Sequence, residues 1–377
     1  MPLSNGNATP NGTTGFLSFN AKPPLVWITG DEEEFDETTL RYWKEEGFTT
    51  KYLPYKPTAD PNTYIARLKA LHNELPLGVH YALIAYGTAA SVVLRIATKP
   101  MPRLCALVAY YPSVIPNPRA TYPSQLELVV HLAGRQVVPQ TEFKSYRYAG
   151  TTPGFAEYAK PEFEGVEAGL AWGRTLGCVQ RGFRLDSRPQ VEETWDKSLQ
   201  LKFTTELYDD EYGSEMVDIM VPEDPHVTYG PTLTGGIGAQ DLEVFYRDYF
   251  DPSIAPDSKI RLVSRTIGVD RVVDEMVVSF THTAEIDWLL PNVPPTNKKV
   301  EIPIVSIVGV RGGKLTQEHV YWDQASVLLQ IGLLDPENVP KDMKEEGLQR
   351  LPISGALQAR QVLDPQKSRY HAFPPLI

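Results

Sequence analysis

The chain changes its strand and helix grammar near residue 185, and this constrains its architecture more than any other feature. Before that point, short apolar runs alternate with helical faces. Pro24-Leu-Val-Trp-Ile-Thr29, closed by Gly30, reads as a buried strand. Thr38–Glu46 reads as a helix, and Ile65, Leu68, Leu71 and Leu75 mark another. Tyr81–Ala85, Leu104–Tyr110 and Leu126–Leu132 are further apolar strands, with a helix-like Ala89–Ala97 after the first. Val166–Phe183 is a helix with Leu170, Trp172, Leu176 and Val179. This alternation predicts a parallel sheet covered on both faces.

The polar, proline-containing Leu185-Asp-Ser-Arg-Pro-Gln190 marks a domain boundary. Beyond it, Glu192–Leu207 is a helix with Trp195, Leu199, Phe203 and Leu207 on one face, and Gln240–Phe250 is a shorter one. Then come paired strands: Lys259–Ile267 with Arg271–Thr283, and Lys299–Arg311 with Lys314–Gln324 across Gly312-Gly313, a two-residue hairpin signal. The second half is therefore α+β. The expected organisation is a disordered leader over 1–20, an α/β domain over 21–185, an α+β domain over 190–334 and an extended tail over 335–377.

Composition excludes several classes of function. A net charge of −11 makes the chain a poor partner for nucleic acid or an anionic membrane. No apolar run reaches the roughly 20 residues that span a bilayer. Two cysteines, Cys105 and Cys178, form neither a disulfide framework nor a structural zinc site by themselves. The leader has no basic and apolar signal pattern, so its Asn7-Ala-Thr9 and Asn11-Gly-Thr13 sequons read as chance matches and cytoplasm is the default compartment.

In the first domain, Ala85-Tyr-Gly-Thr-Ala-Ala90 joins a strand to a helix through small residues, the setting of a nucleophile elbow. The tip is Gly87, which carries no oxygen or sulfur. In the second domain, His226, His282 and His319 accompany Asp274, Glu275 and Asp323. Alternation along a strand puts His319, Tyr321 and Asp323 on one face and Glu318 and Trp322 on the other. Glu301 and Glu318 are expected on the solvated face. The face bearing His319 and Asp323, beside Tyr321 and Trp322, suits proton transfer in an aromatic-lined pocket. A metal shared by the three histidines is a competing reading that no helix motif supports.

On these residues, 23–184 resembles the dienelactone hydrolases of the α/β-hydrolase fold. Residues 85–90 match their Gly-x-Cys-x-Gly-Gly elbow, Leu107-Val-Ala-Tyr-Tyr-Pro112 the next strand, Val129-Val-His-Leu-Ala-Gly134 the strand before the acid, and Gly150-Thr-Thr-Pro-Gly-Phe155 the segment around the histidine. Gly87 stands at the nucleophile position and Pro153 at the histidine position. Arg135, Gln136 and Val137 surround the acid position. The resemblance thus implies a frame without its triad, hence no covalent route.

Residues 192–334 resemble the SnoaL-like polyketide cyclases of the nuclear transport factor 2-like superfamily. The matching segments are Arg271-Val-Val-Asp-Glu275, Phe280-Thr-His282, Asp287-Trp-Leu-Leu-Pro291, Val300-Glu-Ile-Pro303 and Glu318-His-Val-Tyr-Trp-Asp323. The resemblance implies a curved antiparallel sheet closed by helices into a cone, and acid–base chemistry without a cofactor. On it, Asp323 or His319 is the base and His282 the partner acid, with Glu275 as a further candidate. Trp288, Trp322, Tyr321, Tyr229, His226 and Asp274 would bind a small carbonyl or polyketide-like substrate. The expected activity is that of a cyclase, isomerase or lyase. Two alternatives stay open, a lactone or ester hydrolase that activates water and a non-catalytic ligand-binding or assembly protein. Both resemblances are compatible with a homodimer.

Overall fold

The computed structural model describes residues 23–56, 61–136, 141–203, 212–250 and 255–364. The leader 1–20, Leu207, Val137 and the end of the tail lie outside them. The chain divides into two compact units between Leu185 and Asp186.

The first unit runs β1 (Leu25–Gly30), α1 (Glu37–Glu45), β2 (Thr49–Pro54), α2 (Pro61–Ala70), β3 (Tyr81–Tyr86), α3 (Gly87–Ala97), β4 (Leu104–Tyr110), β5 (Glu127–Ala133), β6 (Ser145–Tyr148) and α4 (Gly165–Phe183). All six strands are parallel, in the order β2-β1-β3-β4-β5-β6. β1 and β3 are buried throughout, which is why they read as continuous apolar runs. Leu83, Ala85, Leu107 and Ala109 share a core with Val93 of α3 and Leu68 of α2. On the opposite face α4 presses on β4, and a Cβ on Gly182 would stand 2.7 Å from that of Ala106. The order in which successive strands are added reverses between β1 and β3, β2 lying to one side and β4 to the other. In open parallel sheets, ligands bind outside the strand ends at such a point.

The second unit opens with α5 (Arg188–Phe203) and α6 (Tyr212–Asp218). A hairpin of β7 (His226–Tyr229) and β8 (Thr234–Ile237) follows, then α7 (Ala239–Val244), which continues as a π-helical turn through Phe250. The long strands are β9 (Lys259–Ile267), β10 (Arg271–Thr281), β11 (Lys299–Arg311) and β12 (Lys314–Trp322), and α8 (Gln324–Ile331) comes next. The sheet order is β8-β7-β12-β11-β10-β9. It is mixed rather than purely antiparallel, because β7 runs parallel to β12. Gly312 and Gly313, with φ of 57° and 75°, make the predicted tight β11–β12 turn. One sheet face packs on α5 and the aromatic π-turn. Trp195, Tyr246, Phe250, Phe280, Val300 and Ile302 form this core. The tail is more than extended chain: α9 (Lys341–Glu345) and α10 (Leu357–Leu363) form in it, and Ala359 is buried.

Candidate functional site

In the first unit, β3 turns sharply into α3 at Gly87, whose φ of +60° is the left-handed conformation glycine adopts freely. The free N–H groups at the start of a helix attract anions. Here the chain fills that place itself. Asp31, just after β1, accepts hydrogen bonds from Thr88 N at 2.8 Å and Ala89 N at 3.0 Å. Gly87 and Pro153 meet in one cleft of about 260 Å³, with Asp31, Tyr111, Glu157 and Lys160 in its wall. Glu157 is buried and accepts a hydrogen bond from the Tyr111 hydroxyl. Burial pushes its carboxyl above the ordinary value, while Tyr111 pulls it back. Gln136 is a tie between loops: its Oε1 accepts from Ala133 N and its Nε2 donates to Pro112 O. No nucleophile stands at the elbow tip.

In the second unit, the structure separates the residues expected to work together. His319 pairs across β11 with Ile307, which pairs with Val273 of β10. His282 lies nine residues along from Val273, roughly 30 Å at ~3.3 Å per residue. It therefore cannot be the partner acid of His319. His282 is fully buried, its Nδ1 meets Thr296 Oγ1 at 3.0 Å, and burial lowers its pKa. Among the described residues no three His, Cys, Asp or Glu side chains gather as metal ligands, so the shared-metal reading lacks its geometry.

Asp323 is not a strand residue. It caps α8, its carboxylate accepting from Ser326 N at 3.2 Å and Ser326 Oγ at 2.6 Å. His319, Tyr321 and His226 lie on the sheet face away from the core. The two imidazole centroids are 5.3 Å apart, and Tyr321 is 48% exposed. Burial, and then His226, lower the pKa of His319. Glu275 is half-exposed and accepts from Ser264 Oγ at 3.1 Å. Asp274 is fully buried, but Arg265 holds both its oxygens at 2.8 Å and Trp195 Nε1 donates to it at 2.7 Å. It anchors α5 to the sheet.

The inward face of β12 is the one carrying Glu318 and Val320, the reverse of the expected assignment. A β-bulge sets this facing. Gln317 pairs with Gly309 and Leu315 with Val310, so Thr316 is an extra residue and the side-chain alternation flips there. Glu318 is 4% exposed rather than solvated. It forms an ion pair with Lys202, which is 2% exposed, and Ser306 Oγ lies 3.4 Å from its other oxygen. Lys202 projects from α5, seven residues after Trp195 and on the same helix face.

This pair borders a cavity of about 40 Å³, whose walls include Trp195, Tyr229, Phe250, Met276, Trp288 and Ile304. Of the expected substrate-binding residues, Tyr229 and Trp288 reach it, their rings 5.4 Å apart. Trp322 packs edge-on behind Trp288 at 5.7 Å. Among the described residues, Ser198 Oγ and Tyr246 Oη are buried nearby without a hydrogen-bond partner. Tyr246 feels Glu318 directly: burial first, then that carboxylate, raise its phenol well above the ordinary value. Burial lowers the Lys202 amine although Glu318 opposes the shift. Sequence reasoning missed Lys202 and Ser306. The signal for Lys202 was a lysine interrupting the apolar stripe of Trp195 and Leu199, seven residues after the first and three after the second.

No protein-family model matches the chain, and no curated protein matches it. Solved structures to which part of the chain is similar include a protein described as a SnoaL-like polyketide cyclase from Jannaschia sp. CCS1, 16% identical over 39% of this chain and 95% of that one, with a TM-score of 0.32. A protein with a ketosteroid isomerase-like fold from Catenulispora acidiphila is 16% identical over 40% of this chain and 98% of that one, TM-score 0.28. A nuclear transport factor 2-like protein from Anabaena variabilis is 18% identical over 36% and 90%, TM-score 0.27. At such identities and scores these likenesses carry no argument about activity. Among the described residues no helix is long and apolar enough to cross a membrane.

Proposed function

We propose that the second unit is a cofactor-independent acid–base enzyme acting on a small carbonyl compound, and that the first unit is a hydrolase-like frame without catalytic function. One observation carries this reading. The Lys202–Glu318 pair, buried and ion-paired, faces a cavity whose other walls are almost entirely apolar and aromatic. Buried charges are costly unless paired, and an ion pair adds little stability over packed apolar side chains. A few convergent polar groups in an apolar pocket are the general form of a small-molecule site.

In this reading Glu318 removes a proton next to the carbonyl, and Lys202 faces the oxygen on which negative charge develops. Apolar walls exclude water and strengthen those interactions. A cavity of about 40 Å³ has room for a few water-sized groups, each of which needs roughly 10–15 Å³ of such space. It therefore takes the reacting end of a ligand rather than a large polyketide. Asp323, His319 and His282 have no part in this mechanism.

The test is solvent deuterium incorporation into small ketones and β-keto compounds, followed by mass spectrometry. Wild type should exchange, and Glu318→Gln should lose about two orders of magnitude or more. His319→Ala and Asp323→Asn should exchange like wild type. Equal exchange in wild type and Glu318→Gln would refute the assignment of the base.

A further inference from the structure

We propose that Lys202 is a nucleophile that captures a small aldehyde or ketone as an imine, with Glu318 as its proton shuttle, an inference that rests on the reading of the cavity just given. The geometry is that of an amine held at a cavity wall with one acid–base partner. Lys202 Nζ is ion-paired with Glu318 and stands 5.1 Å from the ring centroid of Trp195 and 5.8 Å from that of Tyr246. Both it and Glu318 line the same apolar space.

Three physical consequences favour imine chemistry. An amine attacks only when unprotonated, and desolvation activates lysine for that purpose. Burial acts on Lys202 in that direction. The two aromatic faces that stabilise the ammonium can equally stabilise an iminium, which carries the same charge at the same place. Water must leave to form the imine and return to hydrolyse it, so a small apolar cavity prolongs its life.

The step balances with no added reagent. Glu318 takes a proton from the ammonium, and the freed nitrogen lone pair forms a bond to the carbonyl carbon. The C=O π electrons move to oxygen, which Glu318 protonates to give a carbinolamine. Glu318 then removes the extra proton from nitrogen and delivers it to the hydroxyl. The C–O bond breaks, water departs, and the nitrogen lone pair completes the C=N bond. Ketone and ammonium have become iminium and water, and Glu318 is again a carboxylate. No oxidation or reduction occurs. An iminium acidifies the neighbouring C–H groups, so the same pair can then exchange their protons.

The experiment is reductive trapping of the full chain with acetone and cyanoborohydride, read by peptide mass mapping. Lys202 should gain an isopropyl group at least roughly tenfold faster than the exposed Lys341 and Lys344. In Glu318→Gln the Lys202 modification should slow about a hundredfold, the scale of a lost acid–base partner. Modification of Lys202 no faster than that of the surface lysines, in folded wild type, overturns the proposal, and this arm needs no variant. Lys202→Arg separates the two readings, because arginine keeps the charge but forms no such imine. Abolished deuterium exchange in folded Lys202→Arg supports the imine. Persistent exchange in that variant overturns the imine and leaves Glu318 as a simple base, whereas absence of exchange in wild type, with Lys202 still trapped, overturns the acid–base reading alone.

Discussion

The carboxylate of Asp31 lies 2.6 Å from the point where a Cβ on Gly87 would stand, and it holds the Thr88 and Ala89 amides. The turn that could present a nucleophile is thus occupied by an acidic side chain from the end of the neighbouring strand. Gly87→Ser is therefore expected to lower stability without creating an esterase. A left-handed non-glycine residue costs roughly 1–2 kcal/mol, and displacing Asp31 adds the loss of a helix cap worth about 1 kcal/mol. Urea unfolding measures the loss, and a chromogenic acetate ester tests the activity. Turnover by Gly87→Ser would mean that a base stands closer than the structure places one.

His131 gives the first unit a pH dependence. Its ring is fully buried, with Nδ1 2.8 Å from Tyr148 Oη and Nε2 2.9 Å from Thr175 Oγ1. Burial, reinforced by Arg174, lowers its pKa from 6.5 to about 3. The folded state keeps the ring neutral while the unfolded chain protonates it. The contribution is therefore intact above pH 6.5 and is lost progressively as pH falls toward 3, by up to ~1.4 kcal/mol per pH unit. Urea midpoints across that window should fall more steeply for wild type than for His131→Gln. An NMR titration showing the ring charged near pH 5 would contradict the burial argument.

Much of the fold is legible in the sequence because its signals are long and periodic. The continuous apolar runs at 25–29 and 81–85 became β1 and β3, and Gly312-Gly313 became the β11–β12 turn. The short strands β2, β6, β7 and β8 carry too few apolar residues to announce themselves. The site was less legible for two local reasons. The expectation puts the pocket on the face with the histidine chemistry and Glu318 on the solvated one, whereas the extra residue Thr316 sets the facing of everything after it on β12 and turns Glu318 inward. The strand also ends at Trp322, which turns Asp323 from a pocket candidate into a cap. A bulge and a strand end depend on pairing partners, and those are distant in sequence.

That capping role is itself testable. Asp323→Ala removes acceptors from Ser326 N and Oγ and should cost about 1 kcal/mol. Asparagine caps about as well as aspartate, so Asp323→Asn should stay near wild type. Both variants should retain deuterium exchange. Loss of exchange in the stable Asp323→Asn protein would return this carboxylate to the chemistry.

The Lys202–Glu318 pair offers the sharpest separation of stability from function. Lys202→Met leaves a buried carboxylate, and Glu318→Gln leaves a buried ammonium. Removing one partner of such a pair typically costs about 3–5 kcal/mol. The double variant removes both charges from surroundings that already include Trp195, Tyr229 and Trp288. Packed neutral side chains serve such a site about as well as the ions do. The double variant should accordingly recover to within about 2 kcal/mol of wild type, giving a large coupling energy in a double-mutant cycle. It should nonetheless show no proton exchange and no acetone trapping at position 202. Urea unfolding of the four proteins beside those two assays measures both quantities. Recovered stability with lost chemistry is the pattern of a pair that serves reactivity rather than folding, and retained exchange in the double variant would place the reaction elsewhere.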